Sequence, residues 1–226
     1  MAFTLQWSDQ KPTPWNLGKI VCIGRNYAEH AKELNNPIPA TPLLFIKPAT
    51  AAVDITQPLV LPQGQGECHH EAEIALLIGD TLSKVSPEEA IDKVVGVGLG
   101  LDLTLRDLQS TLKKNGHPWE VSKAFDGSAP LSAFVPCQLI GDKILHITLS
   151  VNDQLRQEGS SDQMITPLAE LVSIISQTFT LEAGDVVLTG TPAGVAALKA
   201  GDHFAMSLKG RDQQNDCLAI KGCVAS

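Results

Sequence analysis

Glu71 and Glu73 stand two residues apart at the head of the apolar run Ile74-Ala75-Leu76-Leu77-Ile78. Side chains along a strand alternate between faces, so the two glutamates share one face. Carboxylates that close repel each other unless a proton or a cation stands between them. A third carboxylate, Asp102, closes a second apolar run, Val94 to Leu101, whose Gly96, Gly98 and Gly100 fall on the Asp102 side. A strand face without side chains admits a neighbouring backbone or a ligand. Three carboxylates from two strands suit a hard divalent cation such as Mg2+, which prefers oxygen ligands. Zinc is the rival ion, through Cys68, His69 and His70, but the usual tetrahedral ligand spacing is missing.

Other residues could work beside such a centre. His30 and Glu33 are three apart in a short helical segment and so share a face. A carboxylate beside an imidazole fixes its tautomer and raises its basicity, as a general base requires. The same spacing also describes an ordinary solvated pair. Arg25 and Lys47 sit just off strand ends, and Arg106 and Gln109 lie three apart on the helix that starts beside Asp102. Lys123, flanked by Val121, Ala124 and Phe125, is either a snorkelling edge residue or a charge turned into a pocket. The run Leu188-Thr189-Gly190-Thr191-Pro192-Ala193-Gly194 leaves a strand into a loop whose N–H groups and threonine hydroxyls could hold a carboxylate. A plain structural turn is the other reading of that loop, and it is not a phosphate-binding P-loop, since no Gly-Lys-Ser/Thr follows.

The elements that must carry these residues are short. Residues 1–18, with Pro12 and Pro14, read as an irregular lead-in or short hairpin, ahead of a single domain over 19–226. Strands are expected at 19–23, 43–46, 146–151, 154–158, 186–189 and 203–208, besides the two carboxylate-bearing runs. Asn26 is placed to cap a helix over 27–34, which Asn35-Asn36-Pro37 ends. Leu105, Leu108 and Leu112 give a helical stripe that stops near Gly116, Asn152-Asp153 signals a hairpin, and Thr166-Pro167 opens a helix to about Thr178. Many strands and few helices make the fold α+β, mainly β. The Gly-x-Gly-x-x-Gly loop of a dinucleotide-binding fold is absent.

At 226 residues and 43% hydrophobic content, the chain can bury one sizeable core. A net charge of −8 argues against nucleic acid or an anionic membrane as partner, and no apolar run is long enough to span a bilayer. Five scattered cysteines and an N-terminus without a leader pattern fit a reduced, cytoplasmic setting.

In combination and order, Gly24-Arg25-Asn26-Tyr27 with His30, Phe45-Ile46-Lys47-Pro48, His70-Glu71-Ala72-Glu73, Leu101-Asp102-Leu103-Thr104 with Arg106-Asp107, and Leu188-Thr189-Gly190-Thr191-Pro192 resemble the fumarylacetoacetate hydrolase superfamily, in particular its short acylpyruvate-hydrolase-like members. The resemblance runs from about Lys19 to the C-terminus. It implies a mixed β-roll and a homodimer. It also implies Mg2+ or Mn2+ on Glu71, Glu73 and Asp102, with His30 and Glu33 as a base dyad on a mobile lid that includes 35–41. The activity it implies is C–C bond hydrolysis of small 2,4-dioxo carboxylates such as acetylpyruvate or fumarylpyruvate. Lys123, Arg25, Lys47, Arg106 and the Thr191 loop would meet substrate charge, His30 would activate water, and Gln109 would orient the water or the enolate. The same site could instead decarboxylate or tautomerise oxaloacetate, or isomerise a hydroxymuconate-type diacid. A silent binding protein that keeps the metal site is the remaining class.

Overall fold

The structure, a computed structural model, describes residues 3–34, 37, 41–140, 144–211 and 213–226. Its centre is a curled mixed sheet in the order Leu43–Lys47, Ile20–Gly24, Val186–Leu188, Ala72–Ile78, Val94–Leu101, Ala129–Leu131 and Ala52–Asp54, with Val135–Pro136 also paired to the glycine-bearing strand. Ile20–Gly24 runs parallel to Val186–Leu188, and Ala52–Asp54 parallel to Ala129–Leu131; the other pairings are antiparallel. All seven residues of Ala72–Ile78 are buried. Ile74, Leu76 and Ile78 join one core, while Ala75 and Leu77 join another on the opposite face. Burial on both faces is why this strand reads as a continuous apolar run rather than an alternation.

A second sheet, Gln154–Ser160, Leu145–Val151, His203–Gly210 and Leu218–Cys223, is antiparallel throughout. Along Leu145–Val151 burial alternates, with Leu145, Ile147, Leu149 and Val151 turned into the core, as expected of a sheet packed on one face. Asn152 and Asp153 both take positive φ, 50° and 62°, as a tight two-residue hairpin turn demands. A small third sheet joins Ala196–Ala197, Cys68–His70 and Thr104–Leu105. Among the described residues five α-helices complete the fold: Ala28–Glu33, Pro87–Asp92, Arg106–Asn115, Glu120–Lys123 and Leu168–Thr178. No helix among the described residues is long and apolar enough to cross a membrane.

The expected α+β, mainly-β architecture is what forms, with local corrections. The glutamate run is two strands rather than one: Cys68–His70 ends in the small sheet, and Ala72–Ile78 begins in the large one. Glu71 is the joint. Asn26 does not cap the helix that follows. Its amide donates to the carbonyls of Thr166 at 3.1 Å and Thr189 at 2.9 Å and accepts from Thr166 N–H at 2.8 Å. Tyr27 takes the cap position with no side-chain bond. Pro167 likewise precedes its helix rather than opening it, and Thr166 spends its N–H on Asn26. The glycine face of Val94–Leu101 is filled by protein: Cβ atoms at Gly96, Gly98 and Gly100 would run into Trp7, Ser132, Phe134 and Leu188. Residues 3–18 pack on the domain, with Leu5 buried in the core and a tight turn from Trp7 to Lys11.

Candidate active site

Glu73 pairs in register with Gly100, and Asp102 N–H donates to the Glu71 carbonyl at 2.8 Å. The pleat then turns Glu71, Glu73 and Asp102 together, and their ligand oxygens lie within 4.8 Å of one another. All three are buried. Glu73 accepts from Gly190 N–H at 2.7 Å. Gly190 has φ of 93°, and a Cβ there would stand 2.6 Å from the Asn26 Cβ, so this approach requires glycine.

Two lysines flank the carboxylates. Lys123 Nζ lies 2.7 Å from Glu71 Oε2, 2.6 Å from Asp102 Oδ2 and 2.7 Å from Thr104 Oγ1. Lys47 Nζ comes within 2.8 Å of Asp102 Oδ1. Its three N–H bonds point instead to the carbonyls of Leu103, Lys123 and Ser128, so no donor is aimed at Asp102 Oδ1. That proximity is an ion pair without a directed hydrogen bond. Arg106 pairs with Glu71 and donates to Gln109 Oε1 at 2.8 Å.

The electrostatics follow from this crowding. Burial pushes the Glu73 carboxyl well above the usual carboxylate range, and the neighbouring Asp102 and Glu71 charges push the same way. For Glu71, burial also pulls upward, but Lys123 and Arg106 outweigh it and hold the group well below that range. Lys123 is the mirror case, with Asp102 and Glu71 raising its pKa against its own burial. A buried acid that prefers its proton and an unaimed oxygen on Asp102 are what a hard cation would satisfy. The donor set fits a divalent metal held by Glu71, Glu73 and Asp102.

These groups line a cavity of about 40 Å3 with His30, Arg25, Gln109, Arg106, Lys113, Trp119, Phe45 and Thr191. His30 is buried and lines the cavity, and its Nδ1 lies 3.4 Å from Oε2 of the more exposed Glu33, so the two sequence-predicted residues are in contact. Arg25, at φ of 62° just past its strand, donates to Pro37 O at 3.2 Å. Residues 35–36 and 38–40 of the expected lid lie outside the described residues.

Two expectations need correction. Lys47 is fully buried and does not line the cavity; fixed by three carbonyls, it props Asp102 and the Lys123 backbone from behind. The threonine hydroxyls are also committed elsewhere. Thr189 donates to Ile74 O at 3.0 Å and Thr191 to Ala72 O at 2.9 Å. Gln157 locks the second of these, donating to Thr191 Oγ1 at 2.7 Å and Pro192 O at 2.8 Å. Its carbonyl oxygen takes Ala72 N–H at 3.0 Å and His70 Nδ1 at 2.9 Å, which fixes the proton of His70 on that nitrogen. Burial keeps His70 neutral by lowering its pKa. His70 is thus a strut, and His69 pairs with Glu67, so among the described residues the zinc alternative has no assembled ligand set.

The sequence reading missed Lys113 and Trp119 as cavity residues, and Asn26 and Gln157 as struts. Only Lys113 left a signal, its spacing of seven from Arg106 on one helix.

With this geometry in place, residues 19–218 match the family model described as fumarylacetoacetate (FAA) hydrolase C-terminal. The chain belongs to the fumarylacetoacetate hydrolase family. Within it, the chain is 48% identical over 196 residues to the oxaloacetate tautomerase YcgM of Escherichia coli (strain K12), covering 86% of this chain and 90% of that one. A crystal structure from Oleispira antarctica superposes with a TM-score of 0.94 at 50% identity, covering 99% of this chain and 100% of that one. The fumarylpyruvate hydrolase of Pseudomonas aeruginosa, crystallised with Mn2+ and pyruvate, gives a TM-score of 0.89 at 35% identity, covering 99% and 96%. The site is therefore that of a family enzyme whose carboxylate triad matches a divalent-metal centre.

Proposed function

We propose that the protein is an oxaloacetate tautomerase, interconverting the enol and keto forms of that four-carbon 2-oxo diacid. The observation that carries this reading is the buried His30, paired with Glu33 and set against the carboxylate cluster in one cavity. The likeness to YcgM across nine-tenths of its length supports the choice of substrate.

Tautomerisation moves one proton from the C2 hydroxyl oxygen and delivers one to C3, with no water consumed. With Nδ1 held toward Glu33, Nε2 is the His30 nitrogen left for the cavity. It takes the proton at one position and returns one at the other, while the Glu33 carboxylate stabilises the imidazolium in between. Lys123 and Arg106 supply positive charge where the enolate oxygen and the 2-oxo acid head would rest. Gln109, oriented by Arg106, offers a neutral amide to the same space. When bound to Glu71, Glu73 and Asp102, Mg2+ or Mn2+ supplies a hard charge that favours chelation of the 2-oxo carboxylate and lowers the cost of enolate charge.

C–C hydrolysis of an acylpyruvate is the second reading, supported by the likeness to the fumarylpyruvate hydrolase. It asks His30 to activate water instead of carrying a proton between substrate atoms. Both reactions are measured on one preparation loaded with Mg2+: loss of enol absorbance from oxaloacetate, and cleavage of fumarylpyruvate and acetylpyruvate. The tautomerase reading expects the first to dominate in kcat/KM and to fall by about two to four orders of magnitude in His30→Ala. Faster cleavage than tautomerisation would replace it with the hydrolase.

A further inference from the structure

Helix Arg106–Asn115 turns Arg106, Gln109 and Lys113 into the cavity. Spacings of three and seven place them along one side of the helix, and seven residues separate Arg106 from Lys113 by about 10 Å along the axis. The Arg106 end is matched, by Glu71 and Gln109. The Lys113 end is not. Its ammonium lies 5.0 Å from the centre of the Trp119 ring, and among the described residues it has no carboxylate partner and no hydrogen-bond acceptor.

Lys113 is half-buried, and the cations Arg25, Arg106 and Lys123 bear on it from around the cavity. Glu71, a carboxylate that draws on it, is already engaged by Lys123 and Arg106. Among the described residues, the Lys113 ammonium therefore has no counter-charge paired with it. Burial and the three cations depress the Lys113 pKa to about 8, as an anion-deficient position would. A lysine serving only the helix C-terminus would have no reason to turn its ammonium into the cavity and onto an indole face.

We propose that Lys113, seated on Trp119, receives the distal carboxylate of a dicarboxylic 2-oxo acid and sets the preference for diacids over monocarboxylic 2-oxo acids. The inference rests on the cavity being a 2-oxo acid site. The terminal carbons of a four-carbon diacid lie about 4 Å apart when extended. Arg106 and Lys113, both long side chains, can close the remaining span from the two ends of the helix face.

The test compares oxaloacetate, its C4 monomethyl ester and pyruvate on the Mg2+-loaded protein. The ester and pyruvate present the 2-oxo acid head alone. Lys113→Met is expected to raise KM for oxaloacetate by about tenfold or more, the worth of one charge-assisted hydrogen bond. The KM for the ester and the calorimetric Kd for pyruvate should stay at wild-type values, and Lys113→Arg should recover most of the oxaloacetate affinity. Equal losses for all three ligands would show a structural role, and an unchanged diacid-to-ester ratio would place the distal carboxylate elsewhere; either overturns the proposal. Calorimetry needs no turnover. A protein that favours the diacid through Lys113 without tautomerising it would sink the tautomerase reading and leave this inference standing.

Discussion

Glu33 Oε1 accepts a hydrogen bond from the backbone N–H of Gly194 at 3.0 Å, joining two segments 161 residues apart. The other Glu33 oxygen faces His30 Nδ1, so one carboxylate both latches the helix Ala28–Glu33 over the cavity and orients the base. A helix of six residues does not persist on its own propensity. The helix is held at its start by the Tyr27–Met164 bridge and at its end by the Glu33–Gly194 bond.

Glu33→Ala should therefore speed amide exchange across 28–33 and lower kcat by about two to four orders of magnitude. Glu33→Gln keeps an acceptor for Gly194 and should preserve protection while still losing rate. Exchange in Glu33→Ala that matches wild type would remove the latch from the account.

Metal binding should release a proton. The Glu73 carboxyl, raised by burial and by Asp102 and Glu71, holds its proton without a cation and must lose it to ligate one. Mg2+ affinity should then fall as pH drops through that raised pKa, with proton release visible by calorimetry in buffers of different ionisation enthalpy. EDTA should abolish activity, and Asp102→Asn should cost more affinity than the roughly 10–100-fold typical of losing a partner one shell out. Full activity in protein shown by elemental analysis to be metal-free would overturn the centre.

Lys47→Met tests whether the lysine behind Asp102 is structural. The change strips the donors from three buried carbonyls and leaves the Asp102 charge without its rear partner. The expected loss is about 3 kcal/mol or more in urea unfolding, as for a broken buried ion pair. A loss below about 1 kcal/mol would mean that water replaces the ammonium.

Diacid recognition should carry a pH signature of its own. Lys113 titrates at about 8, lowered first by burial and then by Arg25, Arg106 and Lys123, against the opposing pull of Glu71. The protonated form binds the distal carboxylate, so KM for oxaloacetate should rise above pH 8 while KM for the monoester stays flat. A parallel rise for both would assign the titration to the 2-oxo acid head.

The sequence by itself determined the parts that local periodicity controls. The two-residue pleat put Glu71 and Glu73 on one side, the three-residue helical spacing put His30 with Glu33 and Arg106 with Gln109, and Asn152-Asp153 fixed a hairpin. Each depends on neighbours within a turn or a strand, and backbone geometry alone carries it. Other assignments depend on partners far along the chain. Lys47 and Lys123 both sit beside apolar residues, yet only Lys123 lines the cavity, because the carbonyls of Leu103 and Ser128 capture the Lys47 ammonium 56 and 81 residues away. Asn26 and Gln157 became struts, and Thr191 lost its hydroxyl to Ala72, through pairings that no spacing rule encodes. Burial makes each of these buried donors and acceptors find a partner, and which partner is available is decided only when the sheets close.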